Sequence, residues 1–110
     1  MASAVNVFRT ITANLTTSSS SIYSPPAGYT TVILMAQVSN ISGSTITVTS
    51  NHVRSGTPTA IISGASIPTN DALNILSGKL VLQYGDSIDI KSDTNDAGQL
   101  LLSILETLNA

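Results

Sequence analysis

Catalysis needs titratable or nucleophilic groups in company, and this chain offers few. Its one histidine is His52, it has no cysteine, and its acids are Asp71, Asp86, Asp89, Asp93, Asp96 and Glu106. A Ser–His–acid arrangement has to use His52, yet no Gly-x-Ser-x-Gly elbow is present. The nearest string, Gly64-Ala65-Ser66-Ile67-Pro68, lacks the closing glycine. His52 continues the apolar parity of Ile46 and Val48 at a strand end, so it reads as a packed or hydrogen-bonded side chain rather than a general base. Asp86 and Asp89 flank a turn, where aspartate commonly bonds its own backbone.

The stretch Asp93-Thr94-Asn95-Asp96-Ala97-Gly98 begins like a calcium loop. Ala97 and Ile104 stand where ligands belong, which makes a hairpin turn the better reading. One histidine without thiolates does not make a zinc site. No Gly-x-Gly-x-x-Gly or Walker pattern offers a phosphate cradle. The chain is therefore expected to have no catalytic, cofactor-binding or metal-binding residues and not to be an enzyme. Aromatic platforms are scarce: no tryptophan, one phenylalanine and three tyrosines. Tyr23, Tyr29 and Tyr84 all border turns and are the candidate partner or ligand contacts, for example at the rim of a glycan site. The plain alternative is a packed ring with a wet hydroxyl.

Charged residues make up 9% of the chain and the net charge is −2. A typical soluble domain has roughly 25% charged residues. With four basic side chains in all, neither nucleic acid nor an anionic membrane is an expected partner. A surface covered by Ser, Thr and Asn has weak colloidal repulsion. It suits a protein packed against neighbours, including copies of itself; the alternative is a monomer kept soluble by hydroxyls and amides. The start, Met1 to Asn6, has no basic segment followed by an apolar one. The longest apolar run, Val32 to Ala36, falls far short of the roughly 18 residues of a transmembrane helix. Both point to a protein made in a cytoplasm and kept there or built there into something larger.

The elements that position these residues follow a period of two. Val5, Val7, Ile11, Ala13 and Leu15 share one parity, broken by Arg9, while Phe8 lies on the polar parity. Thr16 to Ser21 is a loop or mobile edge, and Pro25-Pro26-Ala27-Gly28 turns the chain. Thr31 to Ser39 is apolar on both parities, as in a central strand covered on both sides. After a turn at 40–44, Ile46 and Val48 alternate with threonines, which predicts a hairpin partner for that strand. Short strands are expected at Ala60–Ile62, Leu73–Leu76, Lys79–Gln83 and around Ile88 and Ile90. Gln99 to Thr107 is open to two readings. Leu100, Leu101, Ile104, Leu105 and Leu108 make a helix stripe, while Leu100, Leu102 and Ile104 make one strand face. The β character of all that precedes it favours the strand. The sum is an all-β, antiparallel β-sandwich or jelly-roll-like domain of about eight short strands over residues 1–110, with a flexible arm at 1–6.

The motif order resembles a family of small virion proteins of tailed bacteriophages. That family shows Tyr-Thr-Ala-Pro-Ala-Gly-x-Thr before a hydrophobic strand; here the chain has Ile22-Tyr23-Ser24-Pro25-Pro26-Ala27-Gly28-Tyr29-Thr30. A turn like Val38 to Ser44 and an alternating Thr/Val strand follow. Ile67-Pro68 comes next, then Gly78-Lys79-Leu80-Val81-Leu82, Gly85-Asp86-Ser87-Ile88 and finally Ser103-Ile104-Leu105-Glu106. The chain departs from the pattern at Ser24 and Pro26, and Asn70-Asp71 replaces a glycine-rich turn. The resemblance implies a β-sandwich with a structural role in a virion assembled in the host cytoplasm. Within that role a capsid decoration or cement subunit is expected, or alternatively a tail, neck or baseplate accessory. Its expected partners are major capsid or tail proteins and further copies of itself. No catalytic residue is implied.

Overall fold

Alternation of buried and exposed side chains organises the chain into nine strands. A computed structural model describes residues 6–109. The strands are β1 (Asn6–Asn14), β2 (Ser20–Tyr23), β3 (Tyr29–Asn40), β4 (Ile46–Arg54), β5 (Thr57–Ile67), β6 (Ala72–Asn74), β7 (Leu80–Leu82), β8 (Asp86–Ser92) and β9 (Gly98–Leu108). One sheet has the order β1-β9-β3-β6, with β7 also paired to β3; the other runs β2-β8-β4-β5. The pairs nest: β1 with β9, β2 with β8, β3 with β6 and β7, β4 with β5. A long double strand folded over on itself gives this jelly-roll-like sandwich. The molecule is elongated, 50 × 26 × 22 Å. The twelve residues of β3 account for most of that length, at about 3.3 Å each.

The core lies between the sheets. β9 contributes Leu100, Leu102 and Ile104, β3 contributes Ile33, Ala36 and Val38, and β4 and β8 contribute Ile46, Val48, Ile88 and Ile90. Leu15, Ile67 and Leu82 close its ends. Each such Val, Leu or Ile side chain stabilises the fold by about 1.5–3 kcal/mol relative to exposure. The last segment is a strand because its backbone pairs with β1 on one side and β3 on the other.

Several expectations change. β4 is not the hairpin partner of β3; it belongs to the other sheet. The switch is made at Asn40, whose buried side chain satisfies all four of its hydrogen-bonding positions. Its Nδ2 donates to Ser44 O (2.8 Å) and Ile67 O (2.9 Å), and its Oδ1 accepts from Ser42 N (2.9 Å) and Ser42 Oγ (2.8 Å). The true hairpin is β4–β5, closed by Ser55 (φ 53°) and Gly56 (φ 77°), a primed two-residue turn. β5 runs eleven residues through Gly64 (φ 61°), well beyond the short strand expected at 60–62. Ser20 and Ser21, expected in a loop or mobile edge, lie in β2, the edge strand of its sheet. Residues 93–97 do not close a hairpin; they carry the chain from β8 in one sheet to β9 in the other. Of the arm expected at 1–6, Asn6 opens β1 and the rest lies outside the described residues.

One difference bears directly on function. β3 is apolar on both parities, yet only its inner face is covered. Its outward residues, Val32 among them, remain partly open.

Candidate docking surface

Two clusters of titratable side chains tie strands together. Glu106, 3% exposed, accepts from Arg9 Nε at 2.8 Å and from the Tyr23 hydroxyl at 2.5 Å. With its proton given to Glu106, the Tyr23 oxygen accepts from the Thr31 hydroxyl at 2.8 Å. Burial, and then the bond to Glu106, pushes the Tyr23 phenol up to about 12. Burial alone pushes Glu106 up, but the hydrogen bonds from Arg9 and Tyr23 outweigh it and leave the carboxyl below its ordinary value.

A second knot sits across β4 and β8, where Arg54 and Asp86 are paired in register. Arg54 Nε and Nη2 each reach Asp86 at 2.7 Å, His52 Nε2 lies at 3.1 Å, and the Gln83 amide donates at 2.9 Å. The Arg54 hydrogen bonds, opposed by burial and joined by the amide and His52, hold Asp86 well below the usual carboxylate range. His52 is thus hydrogen-bonded and mostly buried, as its strand position predicts. Among the described residues every buried side-chain nitrogen and oxygen has a partner. Asp93 bonds the Thr47 amide at 3.2 Å, and no group of three or more His, Asp or Glu residues is placed to hold a metal among the described residues.

The three candidate tyrosines are not equivalent. Tyr23 is buried with its hydroxyl engaged, so it is a clamp and not a surface contact. Tyr29 is half-buried at the start of β3, and Tyr84 is exposed between β7 and β8. An open groove of about 530 Å³ lies beside His52 and Arg54, lined also by Thr59, Ile61 and Leu80.

The outer face of the five-stranded sheet carries an organised surface feature. The register sets Phe8 opposite Leu105, Leu105 opposite Val32, and Val32 opposite Val81. These four residues form one apolar row across β1, β9, β3 and β7. Phe8 is 73% exposed and Val81 50%; Leu105 and Val32 are half-buried by their neighbours. Leu101, 38% exposed, lies two rows along on β9. The neighbouring rows, Thr10–Ser103–Met35 and Asn6–Thr107–Thr30, are uncharged. So is every other outward pair of β1, β9 and β3. Scattered surface apolar residues need no explanation, whereas a contiguous patch marks an interaction site.

Sequence reasoning picked the tyrosines and missed this row. Two signals were present: Phe8 on the polar parity of β1, and Val32 beside Ile33 in a strand apolar on both faces. The row itself is a product of register across four strands and has no local signature.

No protein-family model matches this chain, and no curated protein matches it. Solved structures of similar fold do. One is a chain of the Bacillus endospore appendages, described as a novel family of disulfide-linked pili, at 13% identity and a TM-score of 0.59 over 96% of this chain and 88% of that one. Another is the nucleoplasmin-like N-terminal domain of Drosophila FKBP39, at 14% identity and a TM-score of 0.53 over 100% and 98%. A pentameric capsid protein isolated from metagenomic phage sequences shows 15% identity and a TM-score of 0.45 over 89% of this chain and 60% of that one. The first two likenesses are likenesses of fold: this chain is an antiparallel β-sandwich of a kind found in proteins of dissimilar sequence.

Proposed function

We propose that this chain is a non-enzymatic structural subunit of a tailed-phage virion, a small capsid decoration or cement protein that docks through the outer face of its five-stranded sheet. The observation that carries the reading is the charge-free apolar row Phe8–Leu105–Val32–Val81 on a face that no element of the described chain covers. The buried carboxylates support it: Glu106 and Asp86 are taken up by Tyr23, Arg9 and Arg54 in clamps between strands.

The residues behind the phage resemblance occupy positions that shape the sandwich. Gly28 (φ 84°) and Gly85 (φ 96°) take backbone conformations that favour glycine. Asp86 and Glu106 are the buried acceptors of the two clamps. These constraints support a fold shared with that family. The chain has no cysteine, so contacts between its copies or with a shell do not rely on disulfides.

Immunogold electron microscopy of purified phage particles tests the proposal. Gold spread over the head is the expected result. Gold confined to neck, tail or tip replaces decoration with an accessory tail role. Absence of label from both intact and disrupted particles overturns the virion reading.

A further inference from the structure

The edges of the two sheets are unequal. β2 has four residues, and β6 and β7 have three each. β5 is long, but Pro58 has no amide to donate, Gly64 stands at φ 61°, and its register with β4 shifts twice. Shortness, proline and bulges are the features that blunt a sheet edge against another chain. β1 has none of them. It holds nine residues without glycine or proline, paired to β9 at nine consecutive positions with no shift. Its other edge meets no strand among the described residues. Its one charge, Arg9, turns to the inner face, where a charge can guard an edge, but Glu106 compensates it at 2.8 Å.

We propose that the free edge of β1 pairs with β1 of a second copy, antiparallel, about a two-fold axis at Thr10. This deepens the self-associating structural reading above and rests on it. The occupant is a second copy because the only long, regular edge in the described chain is β1 itself, and a two-fold contact joins like to like. Charge and length place the axis. Centred on Thr10, all of Asn6–Asn14 pairs, Arg9 faces Ile11 of the second copy, and two threonines meet at the axis. Centred on Arg9, two guanidinium groups face each other across the strands, which is unfavourable. The result is a continuous sheet whose outer face carries the apolar rows of both copies, with Phe8 of each opposite Thr12 of the other.

Thr10 is exposed, so its substitution leaves the core intact. Light scattering after size exclusion is expected to find a dimer for the natural chain and a monomer for Thr10→Lys and for Thr10→Glu alone. The loss corresponds to at least a ten-fold rise in dissociation constant. An equimolar mixture of the two variants is expected to restore the dimer. In the cysteine-free chain, Thr10→Cys is expected to cross-link on oxidation and Thr12→Cys is not. Only position 10 sets its own Cα atoms within the roughly 4.4–6.8 Å of a disulfide. If Thr10→Lys associates as tightly as the natural chain, the β1 pairing is wrong while self-association through another surface stands. If the natural chain is monomeric up to about 1 mM, the pairing is overturned as well. Docking through the outer face is then judged separately, by binding of the chain to particles.

Discussion

The Tyr23 hydroxyl donates to Glu106 Oε2 at 2.5 Å, joining the edge strand of one sheet to an inner strand of the other. Tyr23→Phe keeps the ring and removes this bond, leaving a buried carboxylate oxygen without its donor. The expected cost is about 1–3 kcal/mol. In a domain of this size each kcal/mol lowers Tm by about 4–8 °C. Calorimetry of the variant checks it; an unchanged Tm means that the two sheets are not held together at this point.

Both clamps make stability depend on pH in the same direction. The carboxyls of Glu106 and Asp86 are held below their unfolded values, so their contribution is present above the unfolded pKa and is lost as pH falls through the folded one. The urea midpoint is therefore expected to be level from pH 7 to about 5 and to fall below about pH 4. Asp86→Asn and Glu106→Gln should each be less stable at pH 7 and show a flatter acid limb. Tyr23 acts at the other extreme: its folded pKa is raised to about 12. The stability from its neutral form is full below about pH 10 and is lost as pH rises towards 12. Absorbance of tyrosinate should show a step near pH 12 that Tyr23→Phe removes. An acid limb as steep in the double carboxyl variant as in the natural chain would contradict the assignment.

How far the sequence reaches is clearest at Asn40. Period-two alternation is local, so strands such as β8 and β9 can be read from a few residues each. Strand neighbours are set by distant contacts. Nothing near Ile46 and Val48 shows that Asn40 bonds Ile67, twenty-seven residues away, and sends the chain to the other sheet. Tyr23 fails as a surface contact for the same reason, because its partner Glu106 lies eighty-three residues on. The apolar row needs three registers at once, which alternation along one strand does not contain.

Gly98 stands tightly against two core side chains. A Cβ built there meets Leu15 Cδ1 at 2.9 Å and Ile46 Cδ1 at 3.3 Å. Both neighbours are buried in the core, so relief requires repacking. Gly98→Ala is expected to cost about 1–3 kcal/mol. Gly43→Ala, where the added Cβ meets nothing within 4 Å, is the matched control. Equal urea midpoints for the two variants would show that the β9 entry is loosely packed.

The β4–β5 turn carries a correctable strain. Ser55 holds φ 53° without being glycine, and asparagine tolerates this region better. Ser55→Asn is expected to raise stability by about 0.5 kcal/mol, and Ser55→Val to lower it. Thermal melts of the pair decide this; a destabilised Asn variant would mean that Ser55 makes a contact worth more than the relief of its backbone.

The docking face separates stability from assembly. Val81 is half-exposed, stands at the far end of the row from β1, and contributes no core packing. Val81→Lys should therefore shift stability by no more than about 0.5 kcal/mol, as surface changes do. It also sets a charge in a face that has none among the described residues, where docking has to strip water from the ammonium. Loss of incorporation into particles with an unchanged melt is the expected outcome. Thr59→Lys, on the exposed β5 edge of the opposite sheet, should incorporate normally. If Val81→Lys also incorporates normally, the apolar row is not the contact, and the charge-free face needs a different explanation.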